Sequence, residues 1–320
     1  MRDTGEWYRS FGEIEARGQS AIYEDWALSV ADDPELTRVI DGLPLQKRQP
    51  NLIFAVARLL GAPEGGYPAF RAWLLANWAA VAEEAMVRRT QTNEARRCAT
   101  LLPAIASIQG PVALLEVGAS AGLCLYPDRY SYRYDDREPV HPLAGASSVL
   151  LECATTGAVP LPAALPEVVW RAGIDLHPLD VRSADDMLWL ETLIWPEQEE
   201  RRQRLRAAIG IAQDDPPLLM EGDARGDELA RLAAKAPADA TLVVVTSAVL
   251  VYLTADERMR FVDEVRTLGA EWISLEGIGG LPTIAAALPD GAAYRGRFVL
   301  AANERPLAFT GPHGQSLDWL

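Results

Sequence analysis

Apolar residues recur at steps of three and four along the first third of the chain, up to about Ile108. This spacing places apolar side chains on one face of a helix. Within the region, Asp33 precedes Pro34, a typical helix start because aspartate caps free N–H groups and proline fits the first turn. No strand-like alternation interrupts the pattern. We therefore predict a helical N-terminal cap domain over residues 1–108.

After Gly110 the pattern changes to short apolar runs separated by helical segments, which is typical of an α/β fold with a mostly parallel sheet. The predicted strands, the last two of them a closing pair, are Val112–Val117, Tyr130–Asp135, Val168–Ile174, Leu218–Glu221, Leu242–Thr246, Trp272–Glu276, Arg297–Ala301 and Leu307–Thr310. Residues 109–320 are predicted to form the second domain. A helical insertion at about 185–213 carries apolar side chains that either pack on the sheet or on the first domain, or face a substrate.

The stretch 114–123 combines the features of a nucleotide pocket. A buried strand with Glu116 near its exit runs into a turn with Gly118 and Gly122, and a helix is predicted to follow. In α/β proteins this order directs the free N–H groups of the helix into the crevice where a nucleotide binds. The cofactor-binding residues predicted here are Glu116, Gly118, Ala119, Ser120 and Gly122.

Two more acidic positions follow predicted strands. Asp135 ends the second predicted strand, about 20 residues after Glu116, where an acid would hold a ribose hydroxyl pair. The neighbouring Asp136 is an alternative for the same role. Asp223 follows the strand 218–221, within the sequence Gly222-Asp223-Ala224. Three carboxylates in this order, each at the end of a strand, favour an adenosine-shaped ligand.

The turn also fits another class of enzyme. Gly118-x-Ser120-x-Gly122 matches the nucleophile elbow of α/β-hydrolases, in which Ser120 would attack and His313 would act as the base. Such an elbow normally follows several strands, whereas the region upstream of this turn is predicted to be helical. The spacing of a dinucleotide-binding turn, G-x-G-x-x-G, is absent. The hydrolase hypothesis therefore ranks second.

Composition narrows the choice of partners and compartment. The net charge is −15, with 30 basic residues against 45 acidic ones, which disfavours binding to nucleic acid. The three cysteines show no metal-ligand spacing and are expected to be buried thiols in a reducing cytosol. Charged residues lie near the start of the chain, where a signal peptide would be apolar. We predict a cytoplasmic protein with a small-molecule partner and neither a metal site nor a membrane span.

Several sequence segments together resemble a known family. They are Gln49-Pro50-Asn51-Leu52, Arg89-Thr90-Gln91-Thr92-Asn93-Glu94, Leu115 to Leu123, Asp128-Arg129-Tyr130-x-Tyr132-x-Tyr134, Arg171-x-Gly173-x-Asp175, Trp195-Pro196-Glu197 and Pro312-His313-Gly314. Over almost its whole length the chain is similar to a bacterial domain-of-unknown-function family regarded as methyltransferase-like. The chain departs from ordinary methyltransferases at Ser120, where a third glycine is common.

The resemblance implies a Rossmann-like class I methyltransferase sheet, mostly parallel with an antiparallel closing strand, and S-adenosylmethionine as the cofactor. Besides Asp135 and Asp223, it places Gly222, Ala224, Thr246 and Ser247 in the cofactor site. The methyl acceptor would be a small or medium-sized molecule. Positioning of acceptor and cofactor would carry most of the catalysis, because methyl transfer is an in-line displacement.

The remaining candidates concern the acceptor. A hydroxyl or amine acceptor needs a base, and the candidate bases are Glu94, His313 and Asp175. The residues proposed to contact substrate or to form a lid are Arg89, Gln91, Asn93 and Tyr252. No catalytic residue stands out by spacing alone, so a protein that binds the cofactor without catalysis is a third hypothesis.

Overall fold

The structure is a computed structural model that describes residues 3–288 and 296–320. The chain divides into two compact units. The first comprises residues up to Thr92 together with Ala184–Gln203, and the second comprises Asn93–Ser183 and Arg204–Leu320. Within the described residues, none of the helices is both long enough and apolar enough to cross a lipid bilayer.

The α-helices of the described chain are α1 (Thr4–Ser10), α2 (Ala21–Ala31), α3 (Pro34–Ile40), α4 (Pro50–Leu59), α5 (Tyr67–Ala76), α6 (Trp78–Val87), α7 (Arg97–Ile105), α8 (Ala184–Thr192), α9 (Glu199–Asp214), α10 (Glu228–Ala233), α11 (Ala255–Thr267) and α12 (Pro282–Ala287). The strands are β1 (Val112–Val117), β2 (Ser131–Tyr134), β3 (Leu150–Thr156), β4 (Val168–Asp175), β5 (Leu218–Glu221), β6 (Thr241–Ser247), β7 (Glu271–Gly277), β8 (Phe298–Ala302), β9 (Arg305–Thr310) and β10 (Ser316–Trp319).

The first unit is helical and has its own aromatic core. Trp26 stacks on Phe70 with ring centroids 3.8 Å apart, and Phe54 meets both rings edge-on. The predicted start of α3 is confirmed, since the Asp33 side chain accepts hydrogen bonds from two N–H groups of the first turn. Helix α8 belongs to this unit because Trp189 is buried in the same core. The insertion predicted within the sheet domain therefore packs in part with the N-terminal helices.

The second unit is a mixed α/β structure built on a mostly parallel ten-stranded sheet in the order β2-β3-β10-β9-β8-β7-β6-β1-β4-β5. β1 lies between β4 and β6 and is parallel to both, while β8 is antiparallel to both of its neighbours, β7 and β9. Helices α10, α11 and α12 contribute side chains to the core on the sheet. Helix α7 packs on β3, β7 and β8. The units accordingly divide after Thr92, whereas the sequence placed the boundary after residue 108.

The position of β2 bears on the ribose role predicted for Asp135. Six strands lie between β2 and β1, and β2 is at one edge of the sheet. β2 is parallel to β3 and β3 is parallel to β10, which is antiparallel to β9. Followed through the sheet, these pairings make β2 antiparallel to β1. The carboxyl end of β2 therefore points in the direction opposite to the carboxyl end of β1.

Candidate functional site

The turn after β1 has a left-handed backbone at three positions. The φ angles are +74° at Gly118, +53° at Ser120 and +74° at Gly122. A Cβ atom on Gly118 would lie 2.8 Å from Cγ2 of Val249, and one on Gly122 would lie 2.8 Å from Cγ of Pro217. Both glycines are therefore required by backbone conformation and by lack of space.

The helix predicted after this turn does not form. A single 3₁₀ turn, Leu123–Leu125, takes its place. Pro127 lies just beyond it, and a proline disfavours helical backbone in the residue before it. The second unit thus lacks, directly after β1, the helix N-terminus that would direct free N–H groups at a ligand. This part of the sequence prediction was wrong.

Protein acceptors occupy nearly all N–H groups of the turn. The bonds run from Gly118 N and Ala119 N to Ile174 O (2.8 and 3.3 Å), from Ser120 N to Asp175 Oδ2 (2.8 Å), from Gly122 N to Ala119 O (2.7 Å) and from Leu123 N to Asn93 Oδ1 (3.0 Å). Phosphate-binding turns need such N–H groups to be free for the ligand. This turn is therefore poorly suited to a phosphate group.

Asp175 lies at the site, and Asp135 does not. Asp175 ends β4, the strand next to β1, and its carboxylate accepts the N–H groups of Ser120 and His177, each at 2.8 Å. Asp135 follows β2 at the far edge of the sheet, where it accepts the N–H of Thr155 at 2.7 Å. The ribose role predicted for Asp135, or alternatively for Asp136, requires β2 to lie near β1 in the sheet, and the strand order places six strands between them. Asp175 holds the corresponding position.

Two buried polar atoms at the turn have no hydrogen-bond partner among the residues that the structure describes: Oε2 of Glu116 and Oγ of Ser120. Glu116 is only 3% exposed. Burial raises its pKa well above the usual range for a glutamate, the Cys124 thiol and Asp175 act in the same direction, and Arg97 opposes them. An unsatisfied buried polar group costs about 1–3 kcal/mol, so the turn offers two atoms to a polar ligand.

The loop after β5 adjoins Asp175, since the N–H of Gly222 donates to the Asp175 carbonyl oxygen at 3.0 Å. The next residue, Asp223, accepts hydrogen bonds from the N–H and the guanidinium of Arg225. These hydrogen bonds to Arg225 lower the pKa of Asp223 below its usual range. Asp223 is thus ionised at neutral pH. Ala224 continues the same loop.

Thr246 and Ser247, predicted from the resemblance, end β6 beside β1. Thr246 accepts a hydrogen bond from Trp272 Nε1 at 3.3 Å. Arg97, which sequence reasoning missed, donates from Nη1 to the carbonyl oxygen and to the hydroxyl of Ser247 at 3.3 and 3.2 Å. The next residue, Ala248, has a φ of +58°. A buried arginine therefore fixes the end of β6 where the chain turns sharply.

Glu276 near the end of β7 was also missed, although it follows the same rule of a carboxylate at a strand's exit. It is 3% exposed and accepts the N–H groups of Val249 and Leu250, each at 3.2 Å. Burial raises the pKa of Glu276 to about 7, against the opposing effects of these two bonds, Arg97 and Thr246. Glu276 thus holds the segment after β6 over the sheet.

The residues predicted to contact the methyl acceptor or to form a lid divide between the two units. Arg89 and Gln91 belong to the first unit, where the Arg89 carbonyl accepts a bond from Trp189 Nε1. Asn93 belongs to the second, and its amide clamps the glycine turn by donating to Ala119 O at 3.1 Å and accepting the N–H of Leu123. Tyr252 is 79% exposed.

The two remaining candidate bases lie elsewhere in the second unit. Glu94 is buried, and its Oε1 accepts bonds from the N–H of Arg96 and from Nε of Arg204, both at 3.2 Å. His313 is exposed and donates its backbone N–H to the Gln315 side chain at 3.0 Å. Because Ser120 Oγ has no hydrogen-bond partner in the described chain, the serine–histidine pair of a hydrolase is not assembled.

Among the described residues, no group of histidine, cysteine, aspartate and glutamate side chains is arranged to hold a metal ion. Comparison with known proteins gives one match: the family described as "Uncharacterized protein conserved in bacteria (DUF2332)" matches residues 5–319. No curated protein and no solved structure matches the chain.

Proposed function

The chain belongs to this bacterial family, and we propose that its second unit binds S-adenosylmethionine and transfers the methyl group to a small or medium-sized acceptor. The observation that carries the proposal is a row of carboxylates on adjacent parallel strands. Glu116 lies near the exit of β1, Asp175 at the end of β4 and Asp223 just after β5.

The order of the strands supports a binding site at this edge. From β1 the sheet continues through β4 to β5 on one side, and the later strand β6 lies on the other side. In open α/β sheets, ligands bind beyond the carboxyl ends of the strands where the strand order reverses in this way. The three carboxylates stand at that edge.

The residues fit an adenosyl sulfonium better than a dinucleotide. The N–H groups that would bind a pyrophosphate are already bonded within the turn, whereas an adenosyl sulfonium has no phosphate. Asp175 would hold the ribose hydroxyls, Asp223 the adenine amino group and Glu116 the amino group of the methionine part. The bound sulfonium supplies the electrophilic methyl group, and the protein's task is to align the acceptor with it.

The test is calorimetric titration with S-adenosylmethionine and S-adenosylhomocysteine. We expect Asp175→Asn and Asp223→Asn to weaken binding by about tenfold to a hundredfold, which corresponds to about 1–3 kcal/mol for polar groups left unpaired. Asp135→Asn is the matched control and should change nothing. Absence of binding to the wild type, or an equal effect of Asp135→Asn, would overturn the proposal.

A second measurement separates catalysis from binding. The titrated protein is incubated with labelled cofactor and a panel of hydroxyl, amine and carboxylate acceptors. Methyl transfer to any acceptor supports the proposal that the protein is a methyltransferase. Tight binding without transfer supports the alternative that it binds the cofactor without catalysis. Labelling of the wild type, but not of Ser120→Ala, by a fluorophosphonate would instead identify a serine hydrolase.

A further inference from the structure

Two arginines of the second unit have most of their donors unused. Arg96 donates from Nε to the carbonyl oxygen of Glu152 at 2.7 Å, and Arg204 donates from Nε to Glu94 at 3.2 Å. Within residues 3–288 and 296–320, the terminal nitrogens of both guanidinium groups have no protein acceptor. The Arg204 side chain is nevertheless only 18% exposed.

Among the described residues, these terminal nitrogens are not buried atoms that lack a partner, so water or a ligand can reach them. A guanidinium has five N–H donors in a fixed plane, and the donors that no protein group accepts can bind an anion that replaces water. The planar pair of terminal nitrogens matches two oxygens of a carboxylate or a phosphate. The unused donors of Arg96 and Arg204 are therefore those that an oxyanion would satisfy.

The two positive charges lie close enough to affect each other. The pKa of Arg96 is lowered first by burial and then by the charge of Arg204. A hydrogen bond from Arg133 lowers the pKa of Glu152, and the charges of Arg96 and Arg204 lower it further. Hydrogen bonds and charge effects thus link three arginines, Arg96, Arg133 and Arg204, with the carboxylates of Glu94 and Glu152. This local excess of positive charge occurs in a chain whose net charge is −15.

The same segment of chain connects these arginines to the candidate cofactor site. Asn93 clamps the glycine turn and Arg97 holds Ser247 at the end of β6, while Arg96 lies between them in the sequence. We propose that Arg96 and Arg204 form an oxyanion-binding site that takes a carboxylate or a phosphate group. Assigning that group to the methyl acceptor rests on the proposed function, whereas anion binding itself does not.

The direct test is calorimetric titration with inorganic phosphate and, separately, with succinate at low ionic strength. We expect Arg96→Gln and Arg204→Gln each to weaken binding of the preferred anion at least tenfold. Arg266→Gln is the control, since it removes the same charge from an exposed helical arginine paired with Asp263 and Glu304. The anion that binds more tightly identifies the group as phosphate or carboxylate.

A conservative variant guards against a folding defect. Arg96→Lys keeps the charge but loses the planar pair of donors, so binding should fall while the unfolding transition stays close to that of the wild type. The site would be refuted by a wild type that binds neither anion. It would be refuted equally by Gln variants that bind the anion as tightly as the Arg266→Gln control.

The same variants separate the two proposals when they are titrated with S-adenosylmethionine. Anion binding by a protein that does not bind the cofactor supports the oxyanion site and overturns the proposed function. Cofactor binding by a protein that binds neither anion supports the proposed function and overturns the oxyanion site. If both ligands bind, Arg96→Gln should weaken the anion and leave the cofactor affinity within about twofold of the wild type.

Discussion

The carboxylate of Asp175 accepts the backbone N–H of Ser120 at 2.8 Å and so ties the end of β4 to the glycine turn after β1. Ser120 is held in a left-handed conformation, which is unfavourable for any residue with a Cβ atom. The carboxylate of a neighbouring strand thus helps to fix a strained turn. The conformation of the turn therefore depends on this one residue pair.

Replacing Ser120 with glycine should stabilise the protein. Glycine adopts the left-handed backbone without a steric penalty, and the substitution removes a buried hydroxyl that lacks a partner. We expect a gain of about 1 kcal/mol in the free energy of unfolding, measured by urea denaturation. Ala248→Gly relieves the same backbone conformation without removing a hydroxyl and isolates that contribution. A loss of stability in Ser120→Gly would show that the hydroxyl is engaged.

Gly118→Ala tests how closely the segment after β6 approaches the turn. The new alanine would have to keep a φ of +74°, and its Cβ would lie 2.8 Å from the Val249 side chain. We expect a loss of about 1–2 kcal/mol from the backbone and a further 1–3 kcal/mol from overpacking. Gly110→Ala is the control, since its φ is +80° and no neighbouring atom lies within 4 Å. Equal losses in urea denaturation would contradict the close contact.

Glu276 should make stability fall as the pH rises. Its pKa in the folded protein, about 7, lies above the usual value of 4.5, so the folded state binds the proton more tightly than the unfolded chain does. The stabilisation is complete below about pH 4.5 and is lost as the pH rises through 7. It amounts to about 3 kcal/mol. The positive charge of Arg97 in α7 and a hydrogen bond from the Thr246 hydroxyl in β6 both lower the pKa of Glu276, but burial outweighs them.

Glu276→Gln is neutral at every pH and should remove this dependence. Urea denaturation of both proteins between pH 5 and 8 would measure the difference. The wild type should lose about 2 kcal/mol more than the variant over that interval. Parallel curves for the two proteins would show that Glu276 does not titrate in this range.

Asn93 should control local opening of the glycine turn. Asn93→Ala loses both hydrogen bonds to the turn, at a cost of about 1–3 kcal/mol, and should speed hydrogen exchange at the Leu123 amide. Asn93→Asp keeps the acceptor for Leu123 but loses the donor to Ala119. Its Leu123 amide should therefore stay protected. Equal exchange rates in all three proteins would exclude the clamp.

The two strands located best from the sequence are the fully buried β1 and the partly exposed edge strand β5. β1 and β5 were predicted with their observed bounds, because short apolar runs between turn residues mark strands of a parallel sheet. β3 and β10 were missed. In β3 exposed and buried residues alternate over much of its length, and β10 has only Leu317 fully buried. Such half-polar strands form because their partners are present.

The candidate site was predicted in part, and the assignment of Asp135 and the omission of Arg97 have separate causes. Consecutive strands are often neighbours, so the acid after β2 was assigned to the ribose. The intervening strands β2 and β3 instead pair elsewhere, and β4 takes the place beside β1. Arg97 escaped notice because a single arginine within an apolar helix gives no signal. Its role depends on contacts with Ser247 and Pro312, far away in the sequence.

β10 gives the sheet an order of assembly during synthesis. It lies between β9 and β3, so it joins the β2–β3 pair to the rest of the sheet. β3 is complete at Thr156, whereas β10 begins only at Ser316. While the ribosome makes the residues between them, one edge of β3 has no partner strand. An exposed strand edge favours pairing with other chains. Until residues 316–319 are made, this edge of β3 is therefore a place where nascent chains can pair with one another.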